Sequence, residues 1–376
     1  MSKVDVLIVG GGPAGSSLAY SLAKSDLSIV IMDKEDFPRQ KVCAGWVTPA
    51  VLQELEIDPK DYAKENVLQS IYGFRVGQLG QKLVESQYPA GEPASYGIRR
   101  FEFDNYLLRR CGAELMTGTA FDSMEKTNQG WLVNNSLEAK LVVGAGGHFC
   151  PVARAIGSKG VSELAVAAKE VEFEMDAEQK FNCKIDEQKP ELYFTPDLLG
   201  YGWIFRKGDY LNIGLGRVDK HRLSSHVEAF CSYLKEQGRI PQNMPAKLHG
   251  HAYLLYPHSI RSVIKDNVLL IGDAAGLAYQ QSGEGIRPAV ESAMLAAKVI
   301  ISCAGEYRQL QLQSYFNELE NRFGKRQPEP DLIERLPMGI KQLVAAQLMK
   351  TRWFTRNIVT DRWFLQSQQE PLVQNS

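Results

Sequence analysis

Residues 4–15 read VDVLIVGGGPAG. The apolar run from Val6 to Val9 predicts a buried parallel strand, and a helix-forming stretch, 16–24, follows the glycines directly. A second apolar run, 27–32, ends in Asp33. A strand, a glycine turn, a helix and a second strand in this order predict a βαβ unit at the start of the chain.

The glycine turn has the spacing Gly-x-Gly-x-x-Gly, which in this context predicts a dinucleotide-binding site. Gly10 permits the tight turn, Gly12 lets the backbone approach a diphosphate, and Gly15 lets the helix pack close to the strand. The free N–H groups at the N-terminus of the helix then face the diphosphate. Asp33, at the tip of the second strand, is expected to accept hydrogen bonds from the adenosine ribose.

The bulk properties exclude several classes of protein. The chain has 376 residues, enough for two domains and a sizeable buried core, and its formal net charge of −1 gives no reason to expect a nucleic-acid partner. Its six cysteines are scattered, without a CxxC pair or a histidine spacing typical of zinc, so we expect reduced thiols and no metal site in a cytoplasmic protein. No stretch approaches the roughly 20 apolar residues that span a bilayer, so we expect a soluble body.

The chain alternates between two kinds of pattern. Apolar and polar residues alternate over 165–215, which predicts an antiparallel sheet with one covered face. Signals of the nucleotide-binding fold return after the glycine turn, in the apolar run 140–145 and in 267–276, where an apolar strand enters Gly-Asp-Ala-Ala-Gly. We therefore predict an α/β plus antiparallel β fold, in which a Rossmann-like domain is interleaved with an antiparallel-sheet domain. The predicted segments are 1–67, 97–158 and 257–305 for the dinucleotide-binding domain, 68–96 and 159–256 for the substrate-binding sheet domain, and 306–376 for a helical C-terminal region.

Three further motifs complete the pattern. They are Arg-Phe-Glu-Phe-Asp at 100–104, Gly-Asp-Ala-Ala-Gly at 272–276 with Ser-Gly-Glu-Gly-Ile at 282–286, and Tyr-Gly-Trp-Ile-Phe at 201–205 with Asn-Ile-Gly-Leu-Gly at 212–216. With these motifs and the glycine turn, the chain resembles the FAD-dependent oxidoreductases of the para-hydroxybenzoate hydroxylase fold. Within them it is most similar to the geranylgeranyl reductase family. The resemblance covers nearly the whole chain to about residue 300.

The resemblance implies FAD as the cofactor and gives individual residues a role. It places Arg100 near the flavin, Asp273 on the ribitol chain, and the backbone N–H groups of Gly283 and Gly285 at the pyrimidine edge of the flavin. A helix N-terminus aimed at that edge stabilises the negative charge of the reduced ring. The expected cofactor-binding residues are Gly10, Gly12, Pro13, Ala14, Gly15, Asp33, Lys34, Arg39, Cys43, Ala44, Arg100, Gly272, Asp273, Gly283, Gly285 and Ile286.

The expected catalytic residues are Cys43, Tyr201 and Trp203, which the resemblance places towards the substrate. Cys43 matches the cysteine that lies beside the flavin in the reductases. Each of the three also has a structural interpretation, as a small buried thiol or as a core aromatic ring. His251 and His258 belong to no motif, and we interpret them as structural.

We predict a reductase that transfers hydride from reduced FAD to a carbon–carbon double bond of a small, hydrophobic, prenyl-like substrate. Two alternatives stay open: an FAD-dependent hydroxylase (monooxygenase) on the same fold, and a membrane-peripheral flavoprotein without turnover. The segment Gly-Ala-Gly-Gly at 144–147 lacks the aspartate of the family's Gly-Ala-Asp-Gly, a carboxylate associated with FAD and NAD(P)H. NAD(P)H therefore stands as one candidate electron donor beside ferredoxin and quinol.

The C-terminal stretch 332–364 combines apolar and basic residues at helical spacing. One interpretation is a helical cap that closes the substrate domain, and the other is an amphipathic surface that rests peripherally on anionic lipid. The apolar members are Leu332, Leu336, Ile340, Leu343, Val344, Leu348, Trp353, Phe354, Ile358, Trp363 and Phe364. The basic members are Arg335, Lys341, Lys350, Arg352, Arg356 and Arg362.

Overall fold

The computed structural model describes residues 2–158, 163, 165–219, 222–326 and 336–373. The helices are α1 (Pro13–Leu22), α2 (Pro49–Glu54), α3 (Pro59–Tyr62), α4 (Arg100–Arg109), α5 (Pro151–Ala155), α6 (Ala177–Asn182), α7 (Leu223–Glu236), α8 (Ile286–Ser302), α9 (Gln309–Phe323), α10 (Met338–Leu348) and α11 (Arg352–Phe354), followed by a π-helix, Thr355–Phe364. The strands are β1 (Ser2–Val9), β2 (Ile29–Met32), β3 (Trp46–Val47), β4 (Leu68–Ile71), β5 (Gly73–Gln78), β6 (Val84–Gln87), β7 (Ser95–Ile98), β8 (Glu114–Met116), β9 (Met124–Lys126), β10 (Trp131–Val133), β11 (Leu137–Gly144), β12 (Ala165–Glu174), β13 (Glu191–Phe194), β14 (Gly200–Lys207), β15 (Tyr210–Arg217), β16 (His249–Leu254), β17 (Ile264–Lys265) and β18 (Val268–Leu270).

An eight-stranded sheet carries the glycine turn. Its main path runs β17-β18-β11-β1-β2-β8, and β10 and β9 extend it beside β11. β1 pairs in parallel with both β11 and β2, so its apolar run is buried on both faces, and Val6, Leu7 and Ile8 are fully buried. The βαβ unit predicted for the start of the chain is confirmed.

A seven-stranded sheet forms the second layer, in the order β16-β12-β15-β14-β13-β5-β6. Its neighbouring pairs are antiparallel except β13 with β5, which run parallel. Helix α7 covers one face of this sheet and buries Val227, Phe230 and Leu234 against it. The predicted combination of α/β and antiparallel β is confirmed; the parallel pair joins strands 116 residues apart, which local alternation cannot reveal.

The strands of each large sheet come from one of the two predicted groups of segments. The strands of the eight-stranded sheet come from 1–67, 97–158 and 257–305, and those of the seven-stranded sheet come from 68–96 and 159–256. A third sheet, β3-β7-β4, combines strands from both groups. The division into domains therefore stays a prediction, because strands from both groups of segments pair with each other in this small sheet.

The two ends of the C-terminal region behave differently. The π-helix packs on the seven-stranded sheet: Val359 and Phe364 are buried, and the Tyr88 hydroxyl after β6 donates to the Thr360 hydroxyl at 3.1 Å. This part is a cap, as the first interpretation predicted.

Helix α10 contributes no buried residue. Leu332 and Arg335, which belong to the same predicted pattern, lie outside the described residues. Among the helices that the structure describes, none is long and apolar enough to cross a membrane.

We predict that Gly15→Ala destabilises the fold. A methyl group on Gly15 would lie 1.9 Å from the carbonyl oxygen of Gly10, a backbone atom that cannot rotate away. We expect the free energy of unfolding in urea to fall by about 1–3 kcal/mol, the usual cost of overpacking. Gly339→Ala in α10 is the matched control, because its methyl group meets nothing within 4 Å. Equal unfolding curves for Gly15→Ala and the native protein would contradict this account of the turn.

Candidate functional site

A cavity of about 730 Å³ is lined by residues from both large sheets and from the loops between them. Every site residue expected from the sequence lines this cavity except Gly15 and Gly272. Gly15 lies behind the turn against Gly10, and Gly272 has a φ of +58° beside the Ala14 side chain. These two glycines therefore pack against residues of the cavity wall, Gly10 and Ala14, without lining the cavity themselves.

The glycine turn forms one end of the cavity. Gly10 has a φ of +118°, and an added Cβ would lie 2.5 Å from the Ala145 carbonyl oxygen, so only glycine fits. Gly12 is the N-cap of α1 and has no side chain to cap the helix, while Pro13 follows it without an N–H group. The remaining N–H groups of the first turn are therefore available to an anionic ligand such as a diphosphate.

Asp33 braces this turn. Its carboxylate accepts the Gly11 N–H at 2.7 Å and the Glu35 N–H at 3.0 Å. Each carboxylate oxygen has a further lone pair, so the side chain can also accept from a ribose hydroxyl. Lys34 is exposed and pairs with Glu35 at 3.5 Å. Asp33 thus has a structural role that sequence reasoning did not assign to it.

An arginine cluster lies next to the turn. The buried Arg100 donates to both carboxylate oxygens of Asp104, at 2.6 and 2.8 Å, and Arg39 lies 3.3 Å from the same carboxylate. A Cβ on Gly12 would come within 3.4 Å of the Arg39 guanidinium, which shows that Arg39 lies over the turn. The second sequence motif therefore fixes Arg100 through its own aspartate, four residues along α4.

A histidine that no motif marks lies in the same wall. His251 of β16 places Nε2 3.6 Å from Asp273 Oδ2 and Nδ1 3.1 Å from the Lys41 ammonium. Burial lowers the pKa of His251, which keeps the ring neutral at pH 7. Burial, reinforced by the nearby Arg100, lowers the pKa of Lys41 to about 8. The sequence analysis did not predict that His251 lines the cavity. The pattern of its strand resembles that of the other strands in the sheet and does not mark this residue.

Two buried side chains of the seven-stranded sheet hold the backbone of Cys43. Glu170 of β12 accepts the Cys43 N–H at 2.6 Å, and Asn212 of β15 donates to the Cys43 carbonyl at 3.2 Å. Trp203 in turn donates its indole N–H to Asn212 at 2.8 Å. The Cys43 sulfur accepts the Gly45 N–H at 3.4 Å and lies in the cavity wall. The expected catalytic residues Cys43 and Trp203 are thus linked through Asn212.

Two acidic side chains in the cavity wall each have one carboxyl oxygen without a hydrogen-bond partner in the part of the chain that the structure describes. Burial raises the pKa of both Glu170 and Glu284 to about 7. In the part of the chain that the structure describes, their Oε2 atoms are buried and have no hydrogen-bond partner. Buried polar atoms are nearly always paired in proteins. With the open helix N-terminus at the glycine turn, these unpaired oxygens fit a ligand that has a diphosphate and, further along the molecule, other hydrogen-bonding groups, as FAD has.

Aromatic rings form the other end of the cavity. Trp46 stacks on Phe364 with ring centroids 5.3 Å apart, and Tyr201 meets Phe364 edge-on at the same distance. The Tyr201 hydroxyl donates to the Ser282 carbonyl oxygen. Phe364 comes from the π-helix and was not expected in the site; its only signal is membership of the apolar C-terminal pattern.

We predict that Glu170 makes the stability of the protein depend on pH. Its pKa is about 7 in the folded protein, against an ordinary carboxyl value of about 4.3 in the unfolded chain. The folded state therefore holds an extra proton, whose stabilisation is complete below the unfolded pKa and is lost as the pH rises through about 7.

The free energy of unfolding of the native protein should fall by roughly 2–3 kcal/mol relative to that of Glu170→Gln between about pH 5 and pH 9. Urea denaturation across this range measures it. The difference between the two proteins isolates Glu170 from Glu54 and Glu284, whose pKa values burial also raises. Parallel pH profiles would mean that Glu170 is not protonated in the folded state.

The comparisons with known proteins agree with this geometry. A family model described as an FAD binding domain matches residues 3–325. A digeranylgeranylglycerophospholipid reductase of Methanosphaera stadtmanae is 28% identical over 345 residues, which are 87% of this chain and 85% of that protein. A chloroplastic geranylgeranyl diphosphate reductase of Nicotiana tabacum is 29% identical over 324 residues, which are 80% of this chain and 66% of that protein.

A solved structure has the same fold. It is a geranylgeranyl bacteriochlorophyll reductase-like protein of Thermoplasma acidophilum, with a TM-score of 0.75 and 23% sequence identity, and the match covers 93% of this chain and 91% of that chain. The resemblance to FAD-dependent oxidoreductases of the geranylgeranyl reductase type, predicted from four motifs, is confirmed. The chain therefore belongs to the FAD-binding domain family.

Proposed function

We propose that the protein is an FAD-dependent reductase that transfers hydride to a carbon–carbon double bond of a hydrophobic, prenyl-like substrate. One observation carries the proposal: a single cavity has a glycine turn at one end and an aromatic wall at the other. The first end suits a dinucleotide and the second suits an apolar chain. The names of the relatives, which refer to geranylgeranyl groups, support this class of substrate.

The residues of the chain would bind and orient the cofactor, and bound FAD would supply the hydride chemistry. We assign the diphosphate to the backbone at Gly12 and the adenosine ribose to Asp33. Asp273 would hold the middle of the cofactor, beside His251. Gly283 and the residues up to the start of α8 would meet the flavin edge, where the helix N-terminus favours negative charge.

The expected catalytic residues would act on the substrate side. Trp203 is buried and Tyr201 shares an aromatic contact with it, at 5.9 Å between ring centroids, so this wall excludes water from an apolar chain. Burial raises the pKa of Tyr201 well above its ordinary value, which keeps the phenol neutral. Cys43 lines the same cavity as Arg100 and the aromatic residues.

The electron donor and the location of the protein belong to the same proposal. Gly146, at the position where the family has aspartate, lines the cavity, so the departure lies in the site itself. We propose NAD(P)H as the first donor to test, with ferredoxin and quinol as the others.

We propose the cytoplasm, in contact with a membrane surface, as the place where the protein works.

We predict that the reduced protein hydrogenates a geranylgeranyl lipid in the absence of oxygen. After reduction of the FAD-loaded protein with dithionite and removal of the excess, each turnover should add two hydrogen atoms to the lipid and restore the absorbance of oxidised flavin. Mass spectrometry of the lipid and absorbance spectroscopy measure both. A product that gains one oxygen atom in air would support the hydroxylase instead, and reoxidation with an unchanged lipid under nitrogen would contradict the proposal.

We also predict that FAD protects Cys43 from alkylation. Four of the cysteines are buried, Cys43 and Cys231 are partly exposed, and Cys43 lines the cavity while Cys231 lies on α7. Saturating FAD should slow the reaction of Cys43 with iodoacetamide by on the order of tenfold, because access limits thiol reactivity. Cys231 is the internal control and should react at the same rate in both samples. Equal rates at Cys43, measured by peptide mass spectrometry, would remove it from the cofactor site.

A further inference from the structure

Helix α10 presents its apolar face to solvent. Ile340, Leu343, Val344 and Leu348 share one face at helical spacing, and all four are exposed; Leu343 retains 71% of its accessible surface. The half-buried positions of the helix are 341, 342, 345 and 346, which carry Lys, Gln, Ala and Ala. A surface helix of a water-soluble domain normally has the opposite arrangement.

The exposed apolar residues extend beyond the helix on both sides. Trp353 of α11 is 66% exposed. We call the set the α10 surface; its members are Leu336, Met338, Ile340, Leu343, Val344, Leu348 and Trp353. Large apolar side chains concentrated in one place on a protein surface mark a contact with another apolar phase or partner.

Basic residues outnumber acidic ones in the segment that carries this surface. Residues 336–362 contain five basic residues and one acidic residue, although the whole chain has a net charge of −1. The single acid, Asp361, is paired with Arg356 at 3.0 Å. Lys350, Arg352 and Arg362 are exposed. Exposed apolar side chains flanked by basic ones are typical of helices that lie in the interface of anionic lipid.

We infer that the α10 surface docks the protein on a membrane that carries anionic headgroups. The inference rests on the proposed function, because a prenyl lipid resides in such a membrane. α10 has 11 residues and is about 16 Å long, well short of the roughly 30 Å hydrocarbon core. It therefore lies in the interface with its apolar face down and its basic neighbours at the headgroups.

The segment that follows the α10 surface in the chain reaches the cavity wall. The chain passes from Trp353 through the π-helix to Phe364, whose ring lines the cavity. Phe354 contacts Trp363 edge-on at 5.8 Å, and both Trp363 and Phe364 contact Phe194, at 6.5 and 6.3 Å. An apolar chain that leaves the membrane at α10 meets the segment that forms the aromatic end of the site.

A second copy of the chain is a less suitable occupant. Two α10 surfaces packed against each other would bring the exposed Lys350 and Arg352 of both copies together, and like charges in contact are unfavourable. Anionic headgroups neutralise the same charges, and each basic residue near such a surface adds to binding.

The test is binding of the full-length, FAD-loaded protein to vesicles without prenyl substrate. We expect co-sedimentation with phosphatidylcholine vesicles that contain phosphatidylglycerol, weaker binding without phosphatidylglycerol, and loss of binding at high salt. Leu343→Glu combined with Val344→Glu should weaken the partition by at least about tenfold. Leu310→Glu combined with Phe181→Glu is the matched control, because both residues are highly exposed and lie outside the α10 surface. This control should bind like the native protein.

Three outcomes would overturn the inference: no binding of the native protein to anionic vesicles, equal binding by the α10 double variant, or a dimer in light scattering that the double variant abolishes. Reduction of a detergent-dispersed prenyl lipid should be the same in all three proteins. Vesicle binding without any lipid reduction would refute the proposed function and leave the docking surface in place, so the two failures are distinguishable.

Discussion

The capture of the Cys43 backbone by the seven-stranded sheet joins the two halves of the site. Glu170 accepts its N–H and Asn212 donates to its carbonyl, and both side chains are buried. A backbone group left unpaired away from water costs about 1–3 kcal/mol. The strands β12 and β15 therefore determine where the loop that contains Cys43 lies. The same loop begins at Asp33, which accepts the N–H of Gly11. Ten residues therefore couple the glycine turn of one sheet to the inner face of the other, and the cavity is the space that this connection leaves open.

A buried charge network brings the C-terminal segment to the other side of the cavity. Arg287 of α8 forms ion pairs with Glu291 at 2.8 Å and Glu54 at 3.7 Å, and it also donates to backbone carbonyls within 366–370. Burial and the neighbouring Glu291 raise the pKa of Glu54 to about 8. Desolvated charges are tolerated only where partners satisfy them, so the carbonyls of the chain end complete the network. Because this segment follows the π-helix directly, the network also fixes Phe364 in the wall.

The sequence allowed the glycine turn, the arginine motif and two of the aromatic residues, Tyr201 and Trp203, to be predicted, but it gave no sign of Glu170, His251 or Phe364 in the site. The glycine turn and the arginine motif are local, since Arg100 binds an aspartate four residues away and Gly10 owes its role to its own φ. Glu170 is different: it lies in a strand of alternating residues, and alternation predicts a polar face towards water. In the folded protein that polar face meets the loop of Cys43. His251 and Phe364 enter the cavity only through tertiary packing, and no spacing in the sequence brings them near Asp273 or Trp46.

The position of the α10 surface has an energetic reason in the proposed reaction. Each CH₂ group of a prenyl chain costs about 0.8 kcal/mol to move from an apolar phase into water, so a long chain that crosses water to reach the cavity meets a barrier comparable to that of the chemistry. Apolar side chains that continue from the membrane to the aromatic wall shorten this exposed path. The helix that carries them is too short to span a bilayer and has no buried residue of its own, and packing among the residues that the structure describes gives no reason for its apolar face. Delivery of a lipid to the cavity does give a reason for the apolar face of α10. It also explains why the π-helix, which follows α10 and α11 in the chain, reaches the cavity wall.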